Sequence, residues 1–232
     1  MNNLSNGMLW YLAFIFSTVV HEASHSFAAL KLGDRTAYEG GQVTLDPVPH
    51  IKREPIGTVL VPIISFLAGG WMIGWASAPY NRDWARNYPD RSAVMALVGP
   101  LSNLMLVLLS GIAIRVGMIL NWFYAPDHIN FTHVTVSYQD GPLQAVAMLL
   151  SILFTLNIIL FIFNLIPLPP LDGSGIVPLF INKEKAVNYL DFIHNTPLLF
   201  VGLFVAWKVF GHVFDPIHNI FLNLLYPGAG YH

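Results

Sequence analysis

From Pro142 to Ile166 the chain carries no charged side chain, and two further stretches, about Met8 to Leu32 and about Ser92 to Leu120, are almost as apolar. At 1.5 Å rise per helical residue, about 20 apolar residues cross the roughly 30 Å of hydrocarbon in a bilayer. No water is available there to bind backbone polar groups, so such segments must be helices that satisfy their own hydrogen bonds. Composition agrees: 55% of the 232 residues are hydrophobic and 10% are charged, against about a quarter charged in soluble domains. The sequence predicts an all-α polytopic membrane protein. A net charge of −2 gives no signature of nucleic-acid binding. The absence of cysteine excludes disulfides and thiolate metal sites. No basic region precedes the first apolar run, so a cleaved signal peptide is not expected. With no internal repeat or linker, one membrane-embedded domain over residues 1–232 is expected, with a core at about 8–182 and a C-terminal helix and interfacial tail at about 196–232.

Between the spans the chain offers local signals. After Gly33-Asp34, Val43 and Leu45 alternate with Gln42 and Thr44 behind a Glu39-Gly40-Gly41 turn, which predicts a small β-hairpin after the first helix. "IGTVLVPIISFLAGGWMIGWASAP" is apolar but interrupted by Pro62 and Gly69-Gly70. A last apolar segment starts near Pro197 and is expected to break at Asp215-Pro216. The basic residues decide how these pieces thread. If the interrupted segment dips in and returns, then Lys31, Arg35, Lys52, Arg53, Arg82, Arg86, Arg91, Lys183 and Lys185 all share one side. If it crosses, they divide between both. The positive-inside rule selects the first arrangement: four spanning helices plus a re-entrant segment, the N-terminus outside and the basic loops cytoplasmic. A bacterial or archaeal cytoplasmic membrane is the expected setting.

The first span contains "FSTVVHEASHSFAAL". Ionisable groups inside a membrane helix are costly and are functional by default. His21 and His25 are one helical turn apart, so both imidazoles fall on one face and can converge on one ion. Glu22, beside the first, can reach a water activated by that ion and take its proton. Two histidines leave zinc short of the three protein ligands usual in a catalytic site. Asp172, in "PPLDGSG" after a proline-broken helix end, is the candidate third ligand; its other reading is as cap of the following short helix. His50, in "DPVPHI", is either a neighbour of the site or a solvated loop histidine.

"HEASH", "GPLSN" and "NLIPLPPLDG", in this order on successive apolar segments, resemble the site-2 protease family of intramembrane zinc metalloproteases. The resemblance covers roughly residues 8 to 182 and is that of a compact member without a PDZ or CBS domain. It implies a three-helix catalytic core, one zinc ion held by His21, His25 and Asp172, and Glu22 as general base. It also implies hydrolysis of membrane-embedded or membrane-adjacent protein segments, and it matches Asn103 and Asn164 to the family's asparagines. These two side chains are candidate donors to a developing oxyanion, or else interhelical hydrogen-bonding groups. An amide substrate must bind as an extended strand, because a helix hides its carbonyls; the hairpin edge from Gln42 to Leu45 is the expected docking strand. A non-proteolytic metal-binding module or transporter-like protein of the same fold is the alternative.

Overall fold

The computed structural model describes residues 3–195 and 199–231. Helix α1 (Asn3–Leu32) takes up the first apolar segment. Gly33 ends it, and the Asp34 N–H returns to the Ala29 carbonyl at 2.9 Å. The buried Asp34 carboxylate then accepts from the Thr36 N–H and hydroxyl, which starts the one-turn α2 (Thr36–Glu39). Asp46 caps α3 (Pro47–Arg53) by accepting from the Val48 N–H, with Pro47 preset for the first turn. The β-hairpin predicted here is therefore not formed. Two aspartates that nucleate helical turns outweigh a short alternation with no strand beside it to pair with. His50 is not solvated: it is buried, and its Nε2–H donates to the Thr44 carbonyl at 3.0 Å.

The interrupted apolar segment is a π-helical turn (Ile56–Leu60) running into α4 (Val61–Gly69). Ile56–Gly69 is about 21 Å long, short of the hydrocarbon thickness. Gly70, at φ 75°, then turns the chain. The return segment, 72–81, is not helical, and the Trp75 N–H donates to the Gly57 carbonyl at 3.1 Å. Two glycines permit this doubling back. A Cβ on Gly57 would lie 2.8 Å from the Trp75 ring, and one on Gly74 would lie 2.6 Å from Phe14 Cζ. At its far end the Asn81 N–H binds Asp34 Oδ2 at 2.8 Å. The segment thus follows α1 from Phe14 to beyond the helix end, and it must be extended to cover that distance.

Asn81 caps α5 (Arg82–Asn87), and α6 (Pro89–Ile119) follows. Strands β1 (Phe123–Tyr124) and β2 (Val136–Ser137) pair antiparallel, Phe123 opposite Ser137, in the loop before α7 (Pro142–Asn164). The chain ends with α8 (Asp172–Ile176), a 3-10 turn (Val177–Phe180), α9 (Lys183–Asn195) and α10 (Leu199–Leu225). The start expected near Pro197 lies outside the described residues. The break expected at Asp215-Pro216 does not occur. Phe214, Leu222 and Leu225, on both sides of Pro216, are buried in one cluster with Val107, Ile114, Phe154 and Ile158, which holds the two halves in line.

Helices α1, α6 and α7 pack against one another. Among the described residues, they contain the three stretches long and apolar enough to cross a membrane, Leu4–Leu32, Pro89–Ile119 and Pro142–Asn164. Their contact faces are rich in small side chains: Ala13, Ser17 and Ala29 on α1, Ala93, Gly99, Ser102 and Ser110 on α6. Small residues let membrane helices approach closely. The outer face of α6 instead exposes Leu101, Met105, Leu108, Leu109 and Ile112, a continuous apolar surface suited to lipid rather than water.

Candidate metal centre

His21 and His25 lie on the buried face of α1, each 6% exposed. Asp172 reaches them because Pro167, Pro169 and Pro170 forbid a continued α7 and turn the chain back. Gly173 is needed for this turn: a Cβ there would collide with the Leu165 and Ile166 carbonyls. Leu171 is the N-cap of α8 and makes no side-chain cap. The Asp172 carboxylate faces the imidazoles instead, with Oδ2 3.0 Å from His21 Nε2 and 3.3 Å from His25 Nε2. The two Nε2 atoms are 3.0 Å apart.

These separations match what one small cation requires. Ligand atoms about 2.0–2.1 Å from a common tetrahedral centre lie about 3.3–3.4 Å from each other. The protonation of the rings points the same way. His25 Nδ1 is 2.8 Å from the Met95 carbonyl oxygen, an acceptor only, so this nitrogen carries the proton and Nε2 keeps its lone pair. Asp172 Oδ2 is buried without a hydrogen-bond donor. A lone pair and an anionic oxygen held together out of water call for a positive charge between them. The space for it is kept open by Gly99 of α6. A Cβ at that position would overlap His25 Nε2 and lie 2.8 Å from His21 Nε2. Among the described residues, His21, His25 and Asp172 form the one cluster able to hold a metal ion. Two neutral imidazoles and a carboxylate are a donor set suited to zinc.

The other candidate residues divide. Glu22 is buried at 6% exposure, directly after His21 in the turn that joins the two histidines. Asn103 is fully buried, with its Oδ1 2.6 Å from His21 Nδ1 and its Nδ2 donating to Asn157 Oδ1 at 2.8 Å. Asn164 is the last residue of α7 and is only half-buried. The hairpin edge expected to receive a strand is absent; the non-helical return segment 72–81 packs on α1 through Gly74, against Phe14. Between Ala76 and Tyr80 its backbone makes no hydrogen bond to other described residues. Sequence reasoning missed Gly99 and Asn157. The first lies inside the quoted "GPLSN", and the second is a lone amide in an apolar span, a signal in itself.

The sequence model of peptidase family M50 matches residues 9–204. A Bacillus subtilis protein named "Putative zinc metalloprotease YwhC" is 30% identical over 227 residues, which is 93% of this chain and 92% of that one. "Putative zinc metalloprotease Rip2" of Mycolicibacterium smegmatis is 27% identical over 172 residues, 74% of this chain and 56% of its own length. Rip2 of Mycobacterium tuberculosis H37Rv is 27% identical over 208 residues, 90% of this chain and 71% of its own. No solved structure gives a significant match.

Proposed function

The chain belongs to peptidase family M50, and from that premise we propose that it is a zinc metalloendopeptidase. It cuts membrane-embedded or membrane-adjacent segments of other proteins near the cytoplasmic face. The observation that carries the reading is the convergence of His21 Nε2, His25 Nε2 and Asp172 Oδ2 inside a bundle of apolar helices. A zinc ion held by these three would supply Lewis acidity and a water whose pKa is drawn toward about 7.

The protein's own groups do the rest. The Glu22 carboxylate takes the proton from the attacking water and passes it to the leaving amide nitrogen. Asn103 is fully buried with both ends of its amide engaged, so it acts on His21. Asn164, at the open end of α7, is the candidate donor to the oxyanion. The substrate binds unwound. Residues 76–80, whose backbone makes no hydrogen bond to other described residues, lie between Gly74, packed on Phe14 of α1, and Asn81, bonded to Asp34, and offer ladder hydrogen bonds to an extended chain.

The topology follows from the same features. Residues 56–81 form a re-entrant unit, entering as helix and leaving extended, with Trp71 at its tip stacked on Phe131 of the loop that holds β1 and β2. α10 is the fourth span. Its C-terminal carbonyl at Leu225 accepts from Arg115, near the last turn of α6, so the two helices end at one level. The basic loops then lie together on the cytoplasmic side, in the cytoplasmic membrane of a bacterium or archaeon.

The test is Glu22→Gln in full-length protein. It is expected to retain zinc and to lose cleavage of a helical membrane substrate by at least about 10²-fold, the lower range for a lost general base. Retained cleavage would remove Glu22 from the mechanism.

A further inference from the structure

Asn157 is fully buried in the middle of α7. Its Nδ2 is 2.8 Å from the Leu153 carbonyl oxygen, one turn earlier, and 2.9 Å from Ser17 Oγ on α1. A backbone carbonyl has no proton to give, so the end of Asn157 facing Leu153 must be the amino end. Oδ1 therefore faces Asn103, and the Asn103 amino group meets it at 2.8 Å. With that end committed, Asn103 can offer His21 only its carbonyl oxygen, 2.6 Å from Nδ1. Nδ1 then carries the single proton of the neutral ring. Nε2 is left with its lone pair, 3.0 Å from Asp172 Oδ2.

We infer that Asn157 and Asn103 are positioning residues that hold His21 in the one tautomer able to bind a cation through Nε2. The polarity of this chain of amides originates at a helix carbonyl of α7. The inference rests on the reading of His21, His25 and Asp172 as a metal centre. The two histidines differ in how their tautomer is secured. His25 binds a backbone carbonyl, which cannot reverse its polarity. His21 binds a side-chain amide, which can. A reversed Asn103 would present N–H to Nδ1, shift the ring proton to Nε2 and block the ligand atom. Asn157 removes that choice, and Ser17 joins α1 to the same chain. Groups that orient a ligating histidine in this way are generally worth about 10–100-fold in metal affinity.

The test measures zinc affinity of the purified full-length protein by competition with a chromophoric chelator, and the absorption spectrum of the Co2+-loaded form. Asn157→Leu is expected to weaken zinc about 10–100-fold and to alter the Co2+ spectrum. Asn157→Asp keeps an oxygen toward Asn103 and, protonated, a donor toward Leu153; it is expected to hold affinity near that of the parent. The Asn103→Leu and Asn157→Leu double variant is expected to bind no more weakly than Asn103→Leu alone, because the first acts only through the second. Unchanged affinity in folded Asn157→Leu, multiplied losses in the double variant, or an equal loss in Asn157→Asp would each overturn the inference. Zinc binding does not depend on proteolysis, so the two readings fail separately. A parent protein that binds zinc and cuts nothing ends the protease reading alone. One that cuts while Asn157→Leu retains full zinc affinity ends the inference alone.

Discussion

Gly99 shows how much a missing side chain can contribute. Its Cα faces the gap between two imidazole nitrogens, and a methyl group there would collide with His25 Nε2 and crowd His21 Nε2. Gly99→Ala is a favourable change in intrinsic helix propensity, by about 0.8–1.0 kcal/mol, yet it fills the place a ligand-bound ion must use. The expected outcome is a folded, membrane-inserted protein that does not retain zinc through gel filtration, measured by metal analysis. Stoichiometric zinc in Gly99→Ala would show that the ligand atoms converge elsewhere. The histidine pair was legible in sequence because its geometry is local: spacing of one turn on one helix settles which face both rings share. Asp172 was legible because few ionisable residues lie within apolar sequence. Gly99 and Asn157 were not, because their roles depend on which face of α6 and α7 meets α1, and no spacing within one segment states that.

At the scale of elements, errors in the sequence reading fall where a local pattern had no partner. Gln42–Leu45 alternates as a strand does, but a strand needs a neighbour, whereas Asp34 and Asp46 need only the N–H groups two residues on. The chain instead supplies its extended element at 72–81. That segment is tied to α9 by a hydrogen bond of 2.7 Å between Tyr80 Oη and His194 Nε2, beside an Arg86–Asp191 ion pair at 3.2 Å between α5 and α9. Burial and then Arg82 hold His194 below its ordinary 6.5, with Asp191 opposing. That shift favours a neutral imidazole, to which Tyr80 donates. Because the folded-state pKa of His194 is lowered, the stability it contributes is complete above about pH 6.5 and is lost as pH falls through the lowered value. Acidification from about pH 8 to about pH 5 is therefore expected to speed amide exchange of Lys183–Asn195, after correction for intrinsic rates. His194→Gln retains an acceptor for Tyr80 and cannot titrate, so its α9 exchange should be insensitive to the same change. An equal response in parent and variant would place the pH sensitivity elsewhere.

For the whole molecule, the distribution of basic residues and the path of residues 56–81 constrain each other. Ile56–Gly69 is too short as a helix to cross the hydrocarbon, and the chain after Gly70 comes back alongside it, with Trp75 bonded to Gly57 and Asn81 bonded to Asp34. A crossing would put Asp34 and Asn81 on opposite sides of the bilayer, although they share a hydrogen bond of 2.8 Å. The proposed re-entrant path would put Lys52, Arg53, Arg82, Arg86 and Arg91 on one side, as the positive-inside rule favours. The same path would leave a non-helical backbone at membrane depth, which is tolerated only against protein or a wet cavity. Gly74, packed on Phe14 of α1, and Asn81, bonded to Asp34, supply protein contacts at the two ends of that stretch. The protein has no cysteine, so single substitutions report position cleanly. In intact cells, Lys52→Cys and Asp83→Cys should both resist a membrane-impermeant thiol reagent added outside, and both should react in inverted vesicles. Tyr138→Cys, in the loop after β2, should show the opposite pattern. If Lys52→Cys and Asp83→Cys label from opposite faces, the segment crosses and the basic loops divide between two compartments.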